Sequence, residues 1–181
     1  MAYSILIQEK TMATDVSSLN AVAVCGSALE NGNVVRFTTI SGSSGYGEVF
    51  HSAQPTTGSL NGLWMAATPE VVTVTMADGT KYRGINQDVR NFVNAAGDLV
   101  DVFKPQPGDI LLLSEDAFSG AKSANTHANS GADRFDLVWG TTQVASSLSL
   151  KWLATDYITI GSGSAIGDTR LVAYRMQVLA N

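Results

Sequence analysis

Charge is what this sequence has least of for its size. Only 15% of its 181 residues are Asp, Glu, Lys or Arg, against roughly a quarter in an ordinary globular chain. Acids outnumber bases 16 to 11, for a formal net charge of -5. A protein that tracks nucleic-acid phosphates needs clustered Lys and Arg. Here the bases are scattered, and the close pair Lys81 and Arg83 would share one solvated face of a strand, so no nucleic-acid partner is expected. Scarce charge also leaves an unusually neutral exterior, a surface suited to packing against something. There is one cysteine, Cys25, which rules out an intrachain disulfide. Its place in the apolar run 21–25 reads as a small buried hydrophobe rather than a reactive thiol. No apolar run approaches the ~20 residues of a membrane helix. The opening Met-Ala-Tyr-Ser-Ile-Leu-Ile has no basic segment ahead of its apolar stretch, unlike a signal peptide. A soluble protein with no membrane partner is the expectation.

Catalytic and metal-binding patterns are missing as well. His51 and His127 are the only two histidines, and neither has a partner at metal-ligand spacing. Ser123 or Ser130 could be joined on paper with His127 and Asp133, but all lie in one small-residue stretch without the rigid scaffold a triad needs. Gly42-Ser-Ser-Gly45 lacks the spacing of a nucleophile elbow. In Gly161-Ser-Gly-Ser-Ala-Ile-Gly167 the last glycine comes one residue too late for a dinucleotide fingerprint, and no helix follows. The acid pairs Asp98 with Asp101, Glu115 with Asp116 and Asp133 with Asp136 are the sort that recur by chance in a chain with 16 acids. Asn125, Asn129, Asp133 and Asp136 could offer oxygens to calcium but lack the order of an EF-hand loop. The reading is therefore of a protein that is not an enzyme, with no catalytic residue, cofactor, metal or small-molecule substrate. Trp64, Trp139 and Trp152 sit in apolar contexts that suit core packing, with a sugar-stacking platform as the alternative.

What the chain does have is strand signal. Residues 21–40 read as a hairpin turning at Glu30-Asn-Gly-Asn33, since Asn-Gly supplies the positive φ angles of a tight turn. A second hairpin runs through Val71–Met76, the turn Ala77-Asp-Gly79 and Thr80–Ile85, whose Lys81 and Arg83 alternate with Tyr82. Leu99–Phe103 and Asp109–Ser114 are short β runs separated by Pro105-Gln-Pro-Gly108. Phe135–Trp139, Ser149–Ile160 and Thr169–Leu179 follow. Ser41–Gly47, Phe118–Asp133 and Gly161–Asp168 read as loops, and Gln87–Ala95 as the one short helix, stopped by Gly97. The expected fold class is all-β, a β-sandwich or β-barrel of about eight strands with long loops. Residues 1–20 would form an N-terminal arm or first strand, and 21–181 a single β-rich domain. In that arm, alternation sets Tyr3, Ile5 and Ile7 on one side. With Leu6, these are the candidate subunit contacts, and deleting residues 1–10 is expected to loosen association without unfolding the domain.

Six segments together resemble a known class of protein. They are Ala28-Leu-Glu-Asn-Gly-Asn-Val-Val35, Gly47-Glu-Val-Phe50, Leu63-Trp-Met-Ala66, Lys81-Tyr-Arg-Gly-Ile85, Phe103-Lys-Pro-Gln-Pro-Gly-Asp-Ile110 and Val172-Ala-Tyr-Arg-Met-Gln-Val178. The string is similar to small structural proteins of tailed bacteriophages, and its Ala-Leu-x-x-Gly-x-x-Val opening most resembles head decoration, or capsid cement, proteins. The resemblance implies a β-rich virion protein, made in the host cytoplasm, that binds the outer surface of a completed capsid. Its partners would be the major capsid protein, copies of itself, or both. A tail-tube or other tail structural protein is the alternative, and a carbohydrate-binding module the second.

Overall fold

The computed structural model describes residues 3–40, 49–75, 77–85, 89–160 and 169–181, with no side-chain description for 71–75, 81–85 and 169. Fourteen strands are numbered along the described chain. The first seven are β1 (Leu6–Lys10), β2 (Asn20–Val24), β3 (Val34–Ile40), β4 (Val49–Ala53), β5 (Trp64–Ala66), β6 (Val71–Thr75) and β7 (Lys81–Ile85). The rest are β8 (Leu99–Phe103), β9 (Ile110–Ser114), β10 (Phe118–Ser119), β11 (His127–Ser130), β12 (Leu137–Gly140), β13 (Ser149–Ile160) and β14 (Thr169–Ala180). Helix is limited to single 3-10 turns among the described residues. The all-β expectation holds, and both of its alternatives are present in part: a closed barrel, and a larger sheet packed against it.

The barrel runs β2-β4-β3-β5-β8 and closes through the β8–β2 pair. Successive strand residues point to opposite faces, so Ala21, Ala23, Val100 and Val102 face inward, with Cys25, Val35 and Ala66 in the same cluster. A five-stranded interior has room for little else, which is why alanine and valine fill it. One mouth holds larger groups: the Phe37 ring stacks on Phe50 at 4.4 Å and on Trp64 at 4.6 Å. The outer wall supplies Val34, Leu63, Met65 and Phe103 to a second cluster.

That second cluster is the seam between the layers. Facing it is the seven-stranded sheet, ordered β1-β9-β14-β13-β11-β12-β10, which contributes Leu111, Leu113, Leu150, Tyr174, Met176 and Val178. Phe118, Trp139 and Tyr174 meet there as an aromatic trio, with Phe118 and Trp139 stacked at 4.6 Å and Tyr174 edge-on to both. The sheet's other face carries a smaller cluster of Ile5, Leu112, Ile158, Ile160 and Ala173. Leu111, Leu112 and Leu113 are therefore all buried, the continuous apolar run of a strand covered on both faces. The register of β13 on β14 slips between Trp152 and Ala154. This bulge at Leu153 exchanges the faces, so Leu150 and Trp152 serve the seam while Ile158 and Ile160 serve the outer cluster.

Four expectations need correction. The 21–40 hairpin does not form: β2 runs parallel to β4 and antiparallel to β8, while β3 pairs with β4 and β5. The Asn31-Gly32 reversal is real, with Gly32 at φ +92°, but β5 and its exit clasp it. Gly32 N–H donates to the Ala66 carbonyl at 2.8 Å, and the Asn31 side chain exchanges hydrogen bonds with the Thr68 backbone. Residues 25–29 pair instead with 94–98, through Cys25 N–H to the Asp98 carbonyl and a reciprocal Leu29–Asn94 pair. That pairing also removes the expected helix, leaving one 3-10 turn at Val89–Asn91. The 118–133 loop contains β10 and β11. The strand expected at Phe135–Trp139 starts later, at Leu137, because the Phe135 carbonyl is taken by the Val34 N–H at 2.8 Å.

Other expectations match the chain closely. β8 and β13 have the expected bounds, and β9 and β14 differ from theirs by one residue. β6 and β7 pair antiparallel from Val71↔Ile85 to Thr75↔Lys81. At their turn Thr80 N–H donates to Asp78 Oδ1 at 2.9 Å, which holds the Asp78 carboxyl below its ordinary range. The expected loops 41–47 and 161–168, residues 87–88 of the expected helix, and the alternation of Lys81, Tyr82 and Arg83 side chains lie outside the described residues.

Candidate interaction surface

The N-terminal segment is a structural edge of the large sheet. β1 pairs antiparallel with β9, and the residues before it are sewn down. Ser4 N–H donates to Glu30 Oε2 and its hydroxyl to the Asn31 carbonyl, both at 2.7 Å. Ile5 N–H donates to Ser114 Oγ at 2.9 Å, and Tyr3 N–H to the Arg90 carbonyl at 2.8 Å. Of the four candidate contacts, Ile5 and Leu6 are buried in opposite clusters and Tyr3 is half-buried. Ile7 is 42% exposed. The chain thus divides the four between core and surface and does not bring them together as one contact patch.

The residues singled out for chemistry are likewise dispersed. His127 and Ser130 lie three apart on β11, which puts their side chains on opposite faces. The Ser130 hydroxyl donates to the Leu60 carbonyl at 2.8 Å, and the His127 ring meets the Thr126 hydroxyl at 3.0 Å. Asn129 uses its side-chain amide to hold Thr142 and Val144, so it is not turned toward the acids that follow it. Cys25 is buried, and its thiol is pushed up to about 11, first by burial and then by Asp98. Glu30, Asp116, Asp133 and Asp136 line one open recess of about 390 Å³ with Arg134. Glu30 is already engaged by Ser4, and Asp136 lies 3.7 Å from Arg134. Partial burial and the neighbouring Glu115 raise the Asp116 carboxyl. No group of three or more His, Cys, Asp or Glu among the described residues is gathered as a metal ion requires.

The tryptophans are mostly engaged with protein. Trp139 is buried in the aromatic trio, and Trp64 stacks on Phe37. Lys122 Nζ lies over the Trp152 ring, 3.8 Å from its centroid, a cation held against the aromatic face. One face of each half-buried ring is therefore occupied.

The longest element of the sheet is the β13–β14 hairpin, whose strands are 12 residues each. β11 pairs with β13 only through Lys151, and β9 with β14 only as far as Ala173. Beyond those ends the two strands pair only with each other among the described residues, with one face covered where Ile158 and Ile160 enter the outer cluster. Leu153 and Tyr157 stand 40% and 51% exposed on this stretch, and Arg170 lies 5.1 Å over the Tyr157 ring. Arg175 braces the base: it donates to both Glu9 oxygens at 2.7 and 2.8 Å and to Asp156 Oδ2 at 2.9 Å, linking β1, β14 and β13. These contacts raise the Arg175 pKa. Ser149–Ile160 and Thr169–Leu179 were legible as strands in the sequence, but the lack of flanking strands over their distal half depends on where β9 and β11 end.

No family model, curated protein or solved structure matches the chain. No helix among the described residues is long and apolar enough to cross a membrane.

Proposed function

We propose that this is a non-enzymatic structural protein of a tailed-phage virion, a decoration or cement protein that binds the outer face of the capsid and stabilises it. The observation that carries the proposal is the β13–β14 hairpin, whose distal half has no flanking strand among the described residues and presents Leu153 and Tyr157 to solvent, a surface suited to meeting a neighbour. A chain with 15% charged residues suits the same role, because weak neutral contacts repeated across a lattice sum to firm attachment. The partner is the major capsid protein, with copies of this chain as neighbours. The protein would be made in the host cytoplasm and act on the particle.

A tail structural role is the second reading, favoured by β1, which pairs only with β9 among the described residues and along whose other edge a sheet could continue from copy to copy. The deciding experiment adds the purified full chain to empty heads assembled without it. Saturable co-sedimentation at a fixed ratio, with a rise in the temperature at which the heads rupture, supports the cement role. Heads that neither bind it nor gain heat resistance would overturn that role and favour the tail.

A further inference from the structure

We propose that the outer edge of β13 over residues 154–160 is an association surface for a second copy of this chain. The two β13 strands would pair antiparallel about a twofold axis at Tyr157. Two independent features of the strand carry this, and neither depends on where the protein sits on a virion.

The first is the direction of the backbone. Tyr157 N–H donates to its neighbour Asp156 Oδ1 at 2.8 Å. Ahead of the bulge, Trp152 N–H points away from β14 to the Thr126 carbonyl, and the one-residue slip at Leu153 passes that outward direction to the odd-numbered residues beyond it, Tyr157 among them. In an antiparallel ladder, residues two apart turn their N–H and carbonyl groups the same way, so Thr155 and Thr159 also face outward. The register from Ala154↔Arg175 to Ile160↔Thr169 is unbroken, and β11 ends its pairing at Lys151. Among the described residues no strand pairs with this edge beyond that point.

The second feature is the order of the side chains. Thr155, Tyr157 and Thr159 read the same in both directions, and all three are exposed. A twofold interface must be complementary to itself. An axis at Tyr157 sets the two tyrosines together and each Thr155 opposite the partner's Thr159. Aromatic pairs and Thr–Thr pairs are favourable across strands. Moving the axis to Thr155 would draw the bulged Leu153 into the ladder and interrupt it.

Asp156 opposes the pairing. Its Oδ1 already satisfies the central N–H, and a partner's carbonyl must displace it, although Oδ2 can stay on Arg175. Charge placed beside an edge is a common guard against uncontrolled pairing, so the dimer is weak and forms as concentration rises.

The test is sedimentation equilibrium of the full chain, up to about 1 mM. A concentration-dependent dimer is expected. Thr155→Pro removes an N–H that faces away from β14, a position where an edge strand accepts proline. It should weaken the dimer roughly tenfold to a hundredfold, since each copy loses one inter-strand bond. Tyr157→Lys, which leaves the backbone free, should abolish the dimer by setting like charges on the axis. Asp156→Ala should tighten it severalfold by freeing the central N–H. A chain that stays monomeric throughout, or a dimer that Thr155→Pro and Tyr157→Lys leave unchanged, would overturn the proposal.

Discussion

The barrel and the large sheet solve the same problem in opposite ways. Five strands of the barrel close on themselves, so every one has two neighbours and the ladder has no free edge. Among the described residues the seven-stranded sheet has two edges, β1 and β10, and a hairpin longer than the strands beside it. The barrel is filled by small side chains, whereas the sheet buries its leucines against the barrel wall and still presents Ile7, Leu153 and Tyr157 to solvent. Free backbone edges among the described residues belong to the sheet, whereas exposed apolar side chains occur in both regions, Ile40 and Leu99 standing out from the barrel strands β3 and β8. The barrel's clearest role is to give that sheet a firm backing.

The largest test of this division removes an edge of the sheet. Deleting residues 1–10 takes Ile5 and Leu6 from two clusters and uncovers β9, so a loss on the order of 5 kcal/mol or more is expected. Urea unfolding checks it. This reverses the expectation from sequence that residues 1–10 could be deleted with the fold intact. Phe103→Ala strikes the seam itself. Phe103 is 1% exposed, and emptying its site should cost about 3–5 kcal/mol by the same assay. Barrel and sheet should then unfold in one transition; two separate transitions would show that the barrel is not the sheet's support.

Barrel chemistry gives a smaller effect with a definite sign. The Cys25 thiol is raised to about 11 from 9.0, so the folded state holds its proton more tightly than the unfolded state does. The stabilisation is complete below pH 9 and is lost as pH rises toward 11, amounting to on the order of 2–3 kcal/mol. Thermal unfolding across that range should show the decline, and Cys25→Ala should flatten it. Smallest is the surface brace of the sheet. Arg175→Met breaks its links to Glu9 and Asp156, and only a slight loss of stability is expected because all three side chains are partly solvated. Moderate salt should reduce the difference between variant and parent.

The same two regions explain how much of the fold was legible in the sequence. In the sheet, β9, β13 and β14 were legible as strands within a residue of their bounds, and their pairings were not needed to find them. In the barrel, the Asn31-Gly32 turn was legible but its partners were not. A local rule pairs the strands flanking such a turn, whereas here β2 lies parallel to β4, an arrangement that needs β3 as a crossover. β11 was hidden for a different reason. Ala128 has no exposed surface and lies between Trp139 on β12 and Leu150 on β13, so the position needs a small residue that gives little strand signal. The surface was hardest to read: Ile5, Leu6 and Ile7 look alike in sequence, and only the clusters above and below β1 decide which one reaches solvent.

The measurement that bears most directly on the account is cryo-electron microscopy of the particle, with the chain traced in the map. The account predicts the barrel and sheet as ordered density on the outside of the head, with the β13–β14 hairpin touching a neighbouring subunit. Density within the tail, or heads that carry no copy of this chain, would contradict it.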